Sequence, residues 1–133
     1  MLKPSKVITN LITETKLHQF NKLEMANRIS WRAWIEDFAS FSIKLPRQVG
    51  TSSAIIAIAK HSDYKCLIIN RNPRPTPLSY PLSVQPSVFH GNQNPVDIMF
   101  LDVGFENYNR AMDLIMKLSP NVINLRTTFV FIG

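Results

Sequence analysis

The sequence predicts an α/β fold: a three-layer sandwich with a mostly parallel, four-stranded sheet, preceded by N-terminal helices. Two observations support this. Segments with apolar residues at three-to-four spacing alternate with short apolar runs rich in β-branched and aromatic residues. Strands that alternate with helices favour a parallel sheet, and right-handed crossovers place the helices on both of its faces. With 45% hydrophobic residues, the chain has enough apolar material to fold around a core.

The first forty residues are predicted to be helical. Residues 5–28 carry apolar side chains at helical spacing, and residues 30–39 form a second candidate with Ser30 as its N-cap. One face of the second candidate is aromatic and is expected to face the core; it consists of Trp31, Trp34, Ile35 and Phe38. We treat residues 1–133 as a single domain, with N-terminal helices over 1–40 and an α/β core over 41–133.

The core is predicted to hold four strands with helices between them. The strands are expected at 41–45, 66–70, 97–102 and 127–132, and the helices at 54–60 and 107–118. Residues 71–95 hold six prolines: Pro73, Pro75, Pro77, Pro81, Pro86 and Pro95. Because proline lacks an amide hydrogen, we expect this stretch to be a surface loop with at most a short strand near Val88–Phe89.

The charge of the chain is compatible with a polyanionic partner, and equally with a solvated basic surface. The sequence has 15 Lys and Arg against 9 Asp and Glu, a net charge of +6, and the surplus lies in the first hundred residues. A single cysteine, Cys66, excludes an intrachain disulfide, and no apolar run approaches the length of a membrane span or follows the basic N-terminus as in a secretory signal. We therefore expect a soluble cytoplasmic protein that does not insert into a membrane.

One strand–loop–helix segment is typical of phosphate binding. It runs from Leu45 through Pro46, Arg47, Gln48, Val49, Gly50 and Thr51 to Ser52. In the pattern G-x-x-x-x-G-K-[ST], Gly50 and Ser52 match, whereas Leu45 replaces the first glycine and Thr51 replaces the lysine. Backbone amides and the start of the following helix would face the phosphate in such a loop.

This segment resembles the Walker A loop of tailed-phage terminase large subunits and related viral helicase-like ATPases, which often lack the first glycine. The resemblance implies ATP and Mg²⁺ as ligands and a strand order 1-4-3-2, with the last strand between the first and the third. It also assigns Asp102, at the end of an apolar strand, to the magnesium site. Val103 stands where that family has its catalytic glutamate, and Glu106 follows three residues later.

The losses at Thr51 and Val103 point away from an efficient enzyme. The resemblance implies a catalytically reduced ATPase-like domain that binds nucleotide, nucleic acid or a phage or host protein, in connection with DNA packaging or a helicase. The expected phosphate-binding residues are Arg47, Gln48, Gly50, Thr51, Ser52 and Ser53.

Two alternatives remain open. The first is a weak NTPase that uses Arg47 and Glu106 and is completed by a neighbouring subunit. The second is a basic nucleic-acid-binding domain, in which Arg71, Arg74 and Tyr80 contact DNA by phosphate pairing and base stacking.

Overall fold

The computed structural model describes residues 4–44, 51–71, 79–89, 91 and 94–133. Their helices and strands follow in the order α1 (Pro4–Asn21), α2 (Trp31–Phe38), β1 (Ser40–Ile43), α3 (Thr51–His61), β2 (Cys66–Asn70), β3 (Ser79–Pro81), β4 (Ile98–Asp102), α4 (Tyr108–Lys117) and β5 (Thr128–Ile132). Short 3₁₀ segments cover Leu23–Asn27, Pro86–Phe89 and Phe105–Asn107.

The five strands form one sheet in the order β1-β5-β4-β2-β3, and every pairing is parallel. The predicted α/β fold with a parallel sheet is confirmed, but the predicted count of four strands is wrong. A fifth strand, β3, pairs with β2 at the edge, so the order differs from the predicted 1-4-3-2 by this added strand. A proline is compatible with β3 because only one side of an edge strand needs partners. The strand expected near Val88–Phe89 is replaced by a 3₁₀ segment whose Phe89 side chain is buried.

Helices cover both faces of the sheet. On one face, α1 and α3 pack against alternate strand residues; this cluster includes Ile8, Ile12, Ile55, Ile68, Phe100 and Val130. On the other face, α2 and α4 pack against the intervening residues; this cluster includes Trp34, Ile35, Met112, Ile115, Leu101 and Phe129. Strands buried on both sides explain the nearly continuous apolar runs of the sequence.

The predicted second helix is confirmed. Ser30 caps α2, because its hydroxyl oxygen accepts a hydrogen bond from the Ala33 amide at 3.1 Å. Trp34 and Ile35 are fully buried, and Trp31 and Phe38 pack at the border of the same cluster. The aromatic face is therefore core, as the spacing predicts.

The single helix predicted over 5–28 is wrong in its second half. The α-helix ends at Asn21, and a 3₁₀ segment over Leu23–Asn27 follows it. The physical reason is a change of face: Ile8 and Ile12 pack on the α3 side, whereas Leu23 packs on the α2 side. A single straight helix cannot pack against both faces of one sheet.

A buried glutamine fixes α1 to the sheet. Gln19 is only 3% exposed, and its amide nitrogen donates to the carbonyl oxygens of Leu125 at 3.2 Å and Thr127 at 2.9 Å. Its amide oxygen accepts a hydrogen bond from the Thr128 hydroxyl at 2.6 Å. The N-terminal helix is thus part of the folded core.

We expect Gln19→Ala to lower the free energy of unfolding by about 2–3 kcal/mol, because it leaves buried donors and acceptors without partners. Urea denaturation followed by circular dichroism measures this difference. Asn10→Ala, on an exposed position of the same helix, is the control and should change stability by less than about 0.5 kcal/mol. Equal effects of the two substitutions would show that α1 is not held in this way.

Candidate functional site

The carboxyl ends of the five strands lie in register at one edge of the sheet. The aligned positions across it are Ile43, Ile132, Asp102, Asn70 and Pro81. At this edge the chain leaves β1 toward α3 on one face and leaves β4 toward α4 on the other. Open α/β sheets bind ligands where connections diverge in this way. We call these strand ends and the segments that follow them the carboxyl edge.

Asp102 shares a face of the sheet with the start of α3. Side chains alternate along a strand, so Asp102 lies on the same side of β4 as Ile98 and Phe100, which pack with the α3 residue Ile55. Because α3 follows the carboxyl end of β1 and precedes the start of β2, its first turn lies at the carboxyl edge. A carboxylate and a helix N-terminus therefore occupy the same edge and the same face.

The environment of Asp102 makes the charged form of its carboxyl less favourable than it is in water. Burial raises the pKa of this carboxyl above its ordinary value, and the nearby Arg71 charge opposes the rise. A partly buried carboxylate is stabilised in its charged form when a cation approaches it, and such groups are common at binding sites. Asn70 occupies the matching position on the neighbouring strand β2.

Arg71 bridges the ends of β2 and β4. Its backbone amide donates to the Asp102 carbonyl at 3.3 Å, and its guanidinium donates to the Val103 carbonyl at 2.7 Å. The same guanidinium forms an ion pair with Glu106. With 55% of the Arg71 side chain exposed, the pair lies at the surface and is accessible to a ligand.

Gly104 makes room for this bridge. Its φ is +83° and its ψ is 149°, a region that side-chain-bearing residues rarely adopt. A Cβ at this position would overlap the Arg71 guanidinium and the Glu106 carboxylate. The amide of Gly104 also donates to the Ile132 carbonyl at 3.2 Å, which joins the bridge to the central strand.

The two positions that depart from the ATPase pattern have different surroundings. Val103 is 2% exposed and belongs to the cluster on the α4 side, so its apolar side chain suits its place. Thr51 is the first residue of α3. Glu106 forms an ion pair with Arg71.

The other predicted site residues are distributed as follows. Ser52 and Ser53 lie in the first turn of α3, and Ser53 is exposed. Tyr80 lies in β3 and packs edge-to-face against Phe89, with 4.9 Å between ring centroids. Four predicted residues lie outside the described part of the chain: Arg47, Gln48, Gly50 and Arg74.

The structure brings together residues that the sequence analysis did not connect. Arg71 was expected to contact DNA and Glu106 to assist catalysis, whereas the two form one bridge over Gly104. Asn107 supports it, because its side-chain amide donates to the Val103 carbonyl at 2.8 Å. The sequence feature that could have indicated this bridge is Gly104, two residues after Asp102, at a strand end where a turn must follow.

The donor set at the carboxyl edge fits a hard cation that keeps most of its water. Within the described ranges, no three His, Cys, Asp or Glu side chains stand close enough to hold a metal ion by themselves. Magnesium is commonly bound through one or two carboxylates together with phosphate oxygens and water, and Asp102 supplies one such carboxylate.

In the described ranges, no helix has the length and apolar character needed to cross a membrane.

Comparisons with protein families, curated proteins and solved structures find no match to this chain.

We expect Asp102→Asn to stabilise the protein at neutral pH. Since folding raises the pKa of this carboxyl, its ionisation disfavours the folded state as the pH rises above its ordinary value of 3.8. The gain in melting temperature should therefore be present at pH 7 and disappear below about pH 3, where the carboxyl is protonated in both states.

The control is Asp97→Asn, which lies before the other end of the same strand and accepts a hydrogen bond from the Lys65 amide at 2.9 Å. It should not stabilise the protein at pH 7. A stabilisation by Asp102→Asn that does not depend on pH would contradict burial of the carboxylate as its cause.

We expect Gly104→Ala to lower the free energy of unfolding by about 1–3 kcal/mol, because alanine is strained at this φ and ψ. Gly91→Ala is the matched control, since nothing lies within 4 Å of a Cβ at Gly91. If the overlap with Arg71 contributes, the penalty of Gly104→Ala will be smaller in an Arg71→Ala background. A neutral Gly104→Ala would refute the strained backbone conformation at this position.

Proposed function

We propose that this chain is a catalytically reduced, P-loop ATPase-like protein of viral type that binds a phosphate-bearing ligand at the carboxyl edge. In this proposal it is a regulatory module that binds nucleotide, nucleic acid or protein, linked to DNA packaging or helicase machinery. One observation carries the proposal: Asp102 and the first turn of α3 share one edge and one face of a parallel sheet.

The chemistry of this edge suits a phosphate with its cation. The first amides of α3 have no acceptors within the helix, and the helix dipole adds partial positive charge there. Hydroxyl-bearing residues occupy the first three positions of the helix, from Thr51 to Ser53. Asp102 would hold Mg²⁺ through water, so that MgADP or MgATP bridges the helix start and β4.

The same edge lacks the groups that drive hydrolysis. The position of the phosphate-binding lysine is Thr51, and the position of the catalytic glutamate is the buried Val103. A P-loop without its lysine loses the charge that stabilises phosphoryl transfer. Glu106, the candidate replacement, already pairs with Arg71. We therefore favour binding without turnover over a weak NTPase.

DNA is the second candidate ligand of this edge. The exposed Arg71 guanidinium lies beside Asp102, and the chain carries a net charge of +6. Nucleic-acid binding through phosphates would weaken steeply with salt, whereas binding of a single nucleotide would depend on Mg²⁺ and on Asp102.

Isothermal titration of MgADP and MgATP tests the proposal. We expect saturable binding that Asp102→Asn weakens by about tenfold, or about 1.4 kcal/mol, because the cation loses the carboxylate that the end of β4 supplies. Asp97→Asn, with the same change of charge at the opposite end of β4, should leave affinity within about twofold. Binding that responds equally to both substitutions would refute the role of Asp102.

Turnover separates the binding protein from the NTPase. We expect no release of phosphate from MgATP above that of a heat-denatured sample. Mg²⁺-dependent hydrolysis that is lost in both Asp102→Ala and Glu106→Gln would establish the NTPase instead and overturn the claim of catalytic reduction.

A further inference from the structure

An apolar cleft with a cationic rim lies at the opposite end of the sheet from the carboxyl edge. The cleft has a volume of about 310 Å³. Its walls are Phe20, Leu23, Tyr64 and Leu125, and Lys16 and Arg126 lie at its rim. We call these six residues the amino-edge patch. It lies beside the first residues of β4 and β5, about 15 Å from the carboxyl edge for strands of this length.

Exposed apolar side chains are concentrated in the walls of this cleft. Six large hydrophobic residues are exposed in the described part of the chain, and three of them line this one cleft: Phe20, Tyr64 and Leu125. Phe20 is 72% exposed. Apolar exposure that is concentrated in one concave place, instead of scattered singly, marks an interaction surface.

Hydrogen bonds hold the Lys16 ammonium and the turn that carries Arg126 at the positively charged rim. The Lys16 ammonium donates to the carbonyls of Asp97 at 2.9 Å and Arg126 at 3.1 Å, and it lies 5.1 Å from the centre of the Tyr64 ring. The Arg126 amide donates to the Asn124 side chain at 2.8 Å, which fixes the turn that carries the arginine. Among the described residues that line the cleft, the two cations Lys16 and Arg126 outnumber the one carboxylate, Asp97.

Partial burial makes the lysine responsive to an incoming anion. Burial lowers the pKa of the Lys16 ammonium, and the Asp97 carboxylate acts in the opposite direction. A second carboxylate brought to this rim would further favour the charged lysine.

An added β-strand finds no free strand edge at the cleft, because β4 and β5 are each paired on both sides. The carbonyls of Asp97, Leu125 and Arg126 already accept hydrogen bonds from the side chains of Lys16 and Gln19. Recognition here must therefore use side chains, as when an amphipathic helix places its apolar face into a groove.

We propose that the amino-edge patch binds an acidic amphipathic helix of another protein. Apolar residues of that helix at i, i+3, i+4 and i+7 would enter the cleft beside Phe20, and its flanking carboxylates would pair with Lys16 and Arg126. A second copy of this chain fits less well, because a two-fold contact would bring like cations together in a protein with a net charge of +6.

The test uses a fluorescein-labelled helical peptide of about 20 residues with Leu and Phe at those spacings and Glu on the flanks. Fluorescence anisotropy against the full chain should show saturable binding at about 0.15 M salt. The same peptide with Lys in place of Glu, or Ser in place of Leu and Phe, should bind at least about tenfold more weakly.

Variants of the protein localise the binding. Phe20→Ser and Arg126→Glu should each weaken it by about tenfold or more. The matched controls lie elsewhere on the surface: Val88→Ser replaces another exposed apolar residue, and Arg110→Glu another exposed arginine. Both control variants should bind the peptide with an affinity within about twofold of that of the parent chain. All four changes are at exposed positions, and circular dichroism verifies that each variant is folded.

Three outcomes would overturn the proposal. The first is no saturable binding of the acidic peptide, or binding that Phe20→Ser and Arg126→Glu leave unchanged. The second is a dimer in light scattering that Phe20→Ser dissociates, which would assign the patch to a second copy. The third is equal competition by an oligothymidylate, which would assign the rim to nucleic acid. MgADP binding at the carboxyl edge should be unaffected by Phe20→Ser, so the proposals for the two sites can be refuted independently.

Discussion

The burial of β5 at the centre of the sheet is the constraint on which the rest of the structure depends. All five residues of Thr128–Ile132 are buried, and the strand pairs with β1 on one side and β4 on the other. A strand in this place requires apolar helices on both faces, which α1 and α3 supply on one side and α2 and α4 on the other. The parallel pairings then bring all strand ends, including Asp102 and Asn70, to one edge.

Both proposed sites follow from this constraint, because the two ends of a parallel sheet are chemically different. At the carboxyl edge, chain direction places the start of α3 beside Asp102, and tight turns such as that at Gly104 follow the strands. At the amino end, the side chains of Lys16 and Gln19 donate hydrogen bonds to the backbone carbonyls next to β4 and β5. One end therefore offers amides and a carboxylate, and the other offers apolar walls with cations.

The sequence predicts the parts of this fold that depend on local patterns. Helical spacing and the Ser30 cap locate α2, and apolar runs locate the four strands that a proline does not interrupt. The end of α1 at Asn21 was not predictable, because it depends on which sheet face Leu23 meets. Strand β3 was missed since its pairing with β2 overrides the proline in its sequence.

The candidate site was predictable to a similar extent. Asp102 is visible in the sequence because it ends an apolar run, and Val103 is visibly the wrong residue for catalysis. The Arg71–Glu106 pair joins residues 35 positions apart, and no local pattern reveals which of the exposed charges meet after folding. The cleft at the amino edge likewise unites α1 with three separate loops, so it exists only in the folded chain.

A titration of the ¹⁵N-labelled protein with MgADP, followed by amide chemical shifts, tests the central claim most directly. We expect saturable shifts confined to the first turn of α3 and to the strand ends around Asn70, Asp102 and Gly104, with no shifts in the amino-edge patch. The absence of saturable shifts at the carboxyl edge, or shifts that cluster elsewhere in the fold, would contradict it.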